Sequence, residues 1–462
     1  MPLVTFSGLA SGIDSDSLIQ AMNDAARAAR VKPWETRITE LESTNTALED
    51  LSTKLASLQS IIRGFASLYG GPVARQAVSS NESVITATAS NAATNGSYSI
   101  TVGQLAKNAA YTLAPNSGTW SSTSAVIDAA AGDNIVVTVG SGTYQETITV
   151  ACSGTTTLSD FITAFNSQCS LATASAVNVG TASAPDYRLM IVSHNEGTEK
   201  GAISINSGTV AVTSTGQDAA DAQFTVAGIS GAITRQSNTV SDLIPGLTFQ
   251  LNSVSATAAT VSVGTDADTT YETAKKFVDA FNEIVKFVSD NNKIERTEKG
   301  DKITNTFGTL AKTRVDDSVL SSLRSAIAGA KADHTGQIAI FSDLGITTQR
   351  DGTLRLDETT FKKALAADPA AVAEIMQNFA DETALTGGTI DQYIRFNGLI
   401  DLTVNANKTS ITGMNERIAR AEEMIQKTAD MTKRRFTALE QIMAKMQTQQ
   451  QSLVQALGLN AK

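Results

Sequence analysis

Cysteine and histidine are almost missing from this chain of 462 residues: Cys152, Cys169, His194 and His334 are its whole supply. The cysteine spacing fits neither a zinc site nor a CxxC redox motif, and two scattered histidines provide no catalytic triad. The two thiols either form one disulfide, if the protein meets an oxidising medium, or stay buried and free. There is no GxSxG elbow, P-loop or HExxH. Asp266 and Asp268 resemble the start of a calcium loop, but the fifth position is Thr270 and no glycine follows at the sixth. His194, beside Asn195-Glu196-Gly197, and His334, within Asp333-His334-Thr335-Gly336, read as loop residues. No enzyme, metal or cofactor is expected.

Long apolar runs are also lacking. None reaches the roughly 18 to 20 residues of a membrane span, and the opening MPLVTFSGLASGIDSDSL has neither a basic region nor an apolar core, so no cleaved signal peptide is expected. Positive charge is scarce, with a net charge of −10. Lys433, Arg434 and Arg435 form only a small basic patch, which excludes nucleic acid as the expected partner. With 42% apolar residues the chain is globular, and its length allows two to four domains. Aromatics are 5% of the chain; Trp120 and Tyr144 are the candidates for stacking on a carbohydrate, although packing is the simpler role for both.

What is present begins with periodicity. Met414 to Leu457 contains no glycine or proline, and Ile418, Ile425, Leu439, Met446 and Leu453 fall on one seven-residue repeat, flanked by Met414, Ala421 and Ile442. This predicts a heptad helix over residues 413–462. A second begins near Pro33, with Leu41, Leu48, Leu55 and Ile62 at one seam position and Leu51, Leu58 and Phe65 at the other, and stops at Gly70-Gly71-Pro72. The two stripes are predicted to pair. Lys and Arg less Asp and Glu give 6 − 8 = −2 for residues 1–69 and 9 − 5 = +4 for residues 404–462. Such charges add tenths of a kcal/mol per exposed pair, whereas each buried Leu or Ile contributes roughly 1.5 to 3 kcal/mol, so the apolar seam dominates. Residues 1–33 carry only a thin apolar face, Leu18, Ile19 and Met22, and alone should form a largely disordered arm.

Between Gln76 and Asp266 the composition shifts to Thr, Ser, Ala, Val and Gly, with Lys107, Arg188, Lys200 and Arg235 the only cations. Short alternating runs such as Tyr98 to Val102, Ile135 to Val139, Arg188 to Val192 and Leu247 to Leu251 predict strands. Loop signals near Leu113 to Asn116 and Thr215 to Asp221 divide this region into a β-rich domain, 76–113 with 222–266, and an inserted outer α+β domain, 114–221. The insert carries a helix over Leu158 to Ser167, capped by Thr157 or Ser159. Residues 34–72 and 270–412 form a helical leg. In it Asp-Gly at 351–352 turns a hairpin, and Asp357 and Asp368 cap helices, the latter followed by Pro369. The fold class is thus α+β multidomain, with coiled-coil-like helices from both termini and two nested β-rich domains looped out of the middle.

These stretches resemble a known family. Phe6-Ser7-Gly8-Leu9-Ala10-Ser11-Gly12-Ile13-Asp14 with Leu18-Ile19 is similar to the opening of the flagellar hook-associated protein 2 family, the bacterial filament cap proteins. Ser237-Asn238-Thr239-Val240 through Leu243-Ile244-Pro245-Gly246-Leu247-Thr248, and Leu344-Gly345-Ile346 with Asp351-Gly352-Thr353-Leu354 and Leu356-Asp357, match it too. The order and spacing agree along nearly the whole chain, least over 115–220. The resemblance implies export through the flagellar secretion channel without a cleaved signal, an extracellular place at the filament tip, and a homo-oligomeric ring. The implied partners are flagellin, the hook-filament junction protein and a cytoplasmic export chaperone at the C-terminal helix, with a host-surface ligand as a further option. Leu9, Ile13, Leu18, Leu453 and Leu457 become the expected filament or subunit contacts. The alternatives are another axial component, flagellin or a junction protein, and a surface adhesin module.

Overall fold

The structure, a computed structural model, describes residues 14–130, 132–299, 302–333 and 336–456. The chain divides into two compact units, Met1–Tyr69 with Tyr271–Lys462, and Gly70–Thr270.

The first unit opens with α1 (Ser15–Arg30) and α2 (Lys32–Arg63). Asp14 caps α1 by accepting the Ser17 N–H at 3.1 Å, and Pro33 sits in the first turn of α2, where its missing N–H costs nothing. The arm that should be largely disordered alone is thus helical from Ser15, where α9 supports it, as described below.

In the second unit β1 (Arg75–Ser79), β2 (Ile85–Ala89) and β3 (Gly96–Gln104) lead to an insert. The insert holds β4 (Ala110–Pro115), β5 (Gly132–Val139), β6 (Glu146–Ser153), α3 (Leu158–Gln168), β7 (Ala172–Asn178), β8 (Tyr187–Ser193), β9 (Ile203–Asn206) and β10 (Val212–Gln217). The chain then returns through β11 (Ala222–Val226), β12 (Ile233–Arg235), β13 (Thr239–Ile244), β14 (Leu247–Leu251) and β15 (Ala259–Thr265).

Sheets β1-β15-β3-β11-β12 and β13-β14-β2 enclose one core, in which Phe224 and Phe249 meet edge to face at 5.6 Å. Sheets β10-β4-β8-β7 and β6-β5-β9 pack with α3 around another. All named strand pairs are antiparallel, and β6, β11 and β14, with the inner parts of β5 and β8, bury every second residue. Thr157 and Asp160 form a reciprocal capping box on α3. The crossing into the insert is earlier than the loop signals suggest: Ala109 and Leu113 already belong to the insert's core, and the chain crosses at the Lys107–Ala220 bridge. Pro115 does not break β4 because it stands at the strand's last position.

Both thiols are free. Ser170, next to Cys169, donates its N–H to Glu146 at the start of β6 at 2.9 Å. Cys152 lies 152 − 146 = 6 residues further along the same strand, about 20 Å away at ~3.3 Å per residue, too far for a disulfide. Burial pushes both thiols up, away from the reactive thiolate.

The first unit resumes with α4 (Ala267–Asn291), a hairpin of β16 (Ile294–Lys299) and β17 (Lys302–Phe307), and α5 (Val315–Gly329). β16 is mostly charged and the described side chains of both strands are exposed, so no buried apolar face marks the hairpin in the sequence. Next come β18 (Ile346–Thr348) and β19 (Leu354–Leu356), then α6 (Glu358–Ala367), α7 (Pro369–Thr383), α8 (Thr389–Ile394) and α9 (Leu399–Ala456). The Gly- and Thr-bearing stretch 380–396 thus contains α8. α9 starts 414 − 399 = 15 residues before Met414 and runs through Gly413. Burial of Ile400 and Val404 outweighs the roughly 1 kcal/mol cost of a helical glycine. Rings of Phe65, Phe277, Phe281, Phe341 and Phe379 form the centre of this core, with centroids 5.3 to 6.4 Å apart.

Candidate assembly interface

The seam on α2 is fully used. Leu41, Leu48, Leu51, Leu55, Leu58 and Ile62 are buried, and Asn45 and Gln59 are buried beside them. This stripe is wider than a two-helix seam because α2 meets α7 and α8 as well as α9. Asn407 on α9 donates to the Asn45 side chain at 2.8 Å, a polar pair that fixes the register of the two helices. Arg417 stacks over the Trp34 ring at 5.1 Å.

Along α9 the cover changes. Its first part lies on α2, with Lys408 and Glu49 at 3.8 Å. Its middle lies on α1, antiparallel, with Arg27 and Glu422 at 2.6 Å and Asp16 and Lys433 at 3.7 Å. These exposed ion pairs mark register more than they stabilise. Ile425 and Ala429 are buried and Ile418 half-buried, whereas Met22 and Met424 stay exposed around a groove of about 370 Å³ between the helices, and Leu18 is exposed nearby in sequence on α1.

Beyond Lys433 the heptad positions of α9 turn outward. Leu439, Ile442, Met446 and Leu453 are 42%, 55%, 58% and 60% exposed on a helix that continues to Ala456. From residue 434 that makes 456 − 433 = 23 residues, about 35 Å of helix along which these four apolar side chains are exposed. Among the expected contact residues, Leu18 and Leu453 are exposed, while Leu9, Ile13 and Leu457 lie outside the described residues.

The other candidates resolve as structure. His194 is held by Thr173 at 2.6 Å and the Ser170 carbonyl at 3.1 Å; His334 lies outside the described residues. Trp120 is buried and its N–H reaches the Ile127 carbonyl at 3.3 Å, so it is a core residue, and the Tyr144 ring is covered by the Lys200 ammonium at 4.5 Å. Asp266 caps α4. Among the described residues no cluster of His, Cys, Asp or Glu could hold a metal ion, and no helix is long and apolar enough to cross a membrane.

A nested pair of β-rich domains inserted in the chain between helical segments, with exposed heptad positions toward the end of α9, defines a multidomain protein of mixed α and β class. The comparisons give it a family. Residues 11–109 match the sequence profile of the flagellar hook-associated protein 2 N-terminus, and residues 219–448 that of its C-terminus. The chain belongs to the flagellar hook-associated protein 2 family.

It is 25% identical to the A-type flagellar hook-associated protein 2 of Pseudomonas aeruginosa over 98% of this chain and 97% of the relative. With the flagellar hook-associated protein 2 of Salmonella typhimurium it shares 29% identity over 51% of this chain and 50% of the other. The fold is that of the flagellar cap protein D1-D2-D3 domains from Escherichia coli, with a TM-score of 0.57 and 21% identity over 80% of this chain and 99% of that one. Neither profile belongs to flagellin, a junction protein or an adhesin, so those alternatives are not favoured.

Proposed function

We propose that this chain caps the distal end of the bacterial flagellar filament and holds exported flagellin there while it folds and polymerises. Membership of the family at both ends of the chain supports the cap, and the uncovered end of α9 supports a docking role for the terminal helices. An apolar edge of separate Leu, Ile and Met side chains can dock on helical termini through modest contacts, which permits release and rebinding. On this reading copies of the chain form a ring and its legs meet flagellin or the hook-filament junction protein. The C-terminal helix is taken up by a cytoplasmic export chaperone, and export proceeds without a cleaved signal to an extracellular site. Leu9, Ile13, Leu18, Leu453 and Leu457 are the proposed contacts. The role is structural, not catalytic.

Deleting residues 440–462 tests this. The truncated chain should leave unit Gly70–Thr270 folded but release unpolymerised flagellin into the medium. Normal filaments and motility after that deletion would overturn the proposal.

A further inference from the structure

The insert is joined to the sandwich of β1–β3 and β11–β15 by two single crossings. They exchange one pair of backbone hydrogen bonds, Lys107 N–H to the Ala220 carbonyl at 2.8 Å and Ala220 N–H to that of Lys107 at 3.0 Å. Two strands so joined, with no core of their own, make a hinge. The loop 195–201 of the insert closes it.

Asn238 lies at the centre and is 7% exposed. Its side-chain oxygen accepts the Ala106 N–H at 2.8 Å and its amide donates to the Ala106 carbonyl at 2.9 Å, which holds the first crossing. The same amide donates to one Glu196 oxygen at 2.8 Å, and the Asn238 backbone N–H to the other at 3.0 Å. One carboxylate of the insert is thus gripped by two donors of the sandwich. Thr198 donates its N–H and hydroxyl to Asp221 at 2.6 and 2.9 Å, and Gln236 donates to Glu199. Between these bonds Gly197, at φ +85°, rests on the backbone of Gln236, where an added Cβ would come within 2.5 Å of the Gln236 carbonyl oxygen. Only glycine permits both that conformation and that approach.

We infer that the loop 195–201 and the segment 236–238 form a latch that locks the inserted domain onto the sandwich in one orientation, with Glu196 and Asn238 as its central pair. The Ser237-Asn238-Thr239-Val240 stretch then has a physical role: its asparagine completes backbone bonds in one domain while holding a carboxylate of the other. Because Asn238 is buried, loss of Glu196 leaves its backbone N–H and one amide hydrogen unpaired, so the latch opens as a unit and not bond by bond. The inference stands independently of the cap reading.

Hydrogen exchange on the full chain tests it. In the wild type the amides of Lys107, Thr198, Ala220 and Asn238 should exchange as slowly as those within β5 and β14. Exchange at these four a hundredfold faster than in the strands would overturn the latch whatever any variant does. Glu196→Gln, which sets an amide against the Asn238 donors, and Gly197→Ala should each speed exchange at the crossings at least tenfold while β5, β8 and β14 keep their protection. Folded variants with unchanged exchange at the crossings, or with an equal rise in every strand, would also overturn it.

Discussion

Asp266 shows how much one side chain carries at a chain crossing. Its carboxylate accepts the Thr269 N–H at 2.9 Å and the Thr269 hydroxyl at 2.7 Å, and its carbonyl accepts the Thr270 hydroxyl at 2.6 Å. That hydroxyl in turn accepts the Ala74 N–H at 3.0 Å, so the start of α4 and the start of β1 are tied together. The Thr269 N–H, and then its hydroxyl, hold the Asp266 carboxyl below its ordinary value. A folded-state pKa below the unfolded one means that the ionised form favours folding. The contribution is therefore complete above the unfolded value of about 4 and is lost as pH falls through the lowered one. Asp266→Ala should cost about 1 kcal/mol at pH 7, the usual worth of a cap, and the difference from wild type should shrink as pH falls through the lowered value. Urea unfolding at pH 7 and across the acid range checks this; a difference that does not change with pH would show that the carboxylate's charge is not what matters.

On the scale of elements, one heptad stripe divides into two kinds of position. Ile425 and Met446 repeat at the same seam on α9, yet Ile425 is 7% exposed under α1 and Met446 is 58% exposed beyond it. Ile425→Ala should destabilise the helical unit by about 2 to 4 kcal/mol, and Met446→Ala by less than about 0.5 kcal/mol, as read from thermal melts. Equal losses would mean that the end of α9 has cover within the chain. Spacing made both residues legible as seam positions but could not show where the partner stops, since that depends on the start of α1 opposite Lys433. The capped helices, the Asp-Gly hairpin and the strands with one buried face were readable because each is fixed by local chemistry: Thr157, Asp357 and Asp368 each accept the N–H three residues on. What escaped was set by tertiary contact. The helical state of Ser15–Arg30 depends on α9, the charged β16–β17 hairpin has no periodic signal, and the bond between Asn238 and Glu196 spans 238 − 196 = 42 residues. The separation of the cysteines likewise appears only once β6 is in place.

At the scale of the whole molecule, the order of strands explains how so much chain can be inserted into a helical unit. β1 and β15, the first and last strands of Gly70–Thr270, pair with each other from Arg75 with Thr265 to Ser79 with Val261, so the unit closes its own ends. The insert repeats the device: β4 and β10, its first and last strands, pair from Ala110 with Gln217 to Leu113 with Ser214 and onward to Pro115 with Val212. Each closed piece has its own core, which removes the need for long-range contacts to hold its termini together. A chain of residues 70–270 should therefore fold alone and unfold cooperatively. Calorimetry of the full chain should show a transition superposable on that of the fragment, together with a separate one from the helical unit. A fragment without cooperative unfolding, or a full chain that melts in one transition well above the fragment's, would show that the β-rich unit depends on the helices for its stability. The strand pairing predicts the opposite, because the first and last strands of each inserted piece pair with each other.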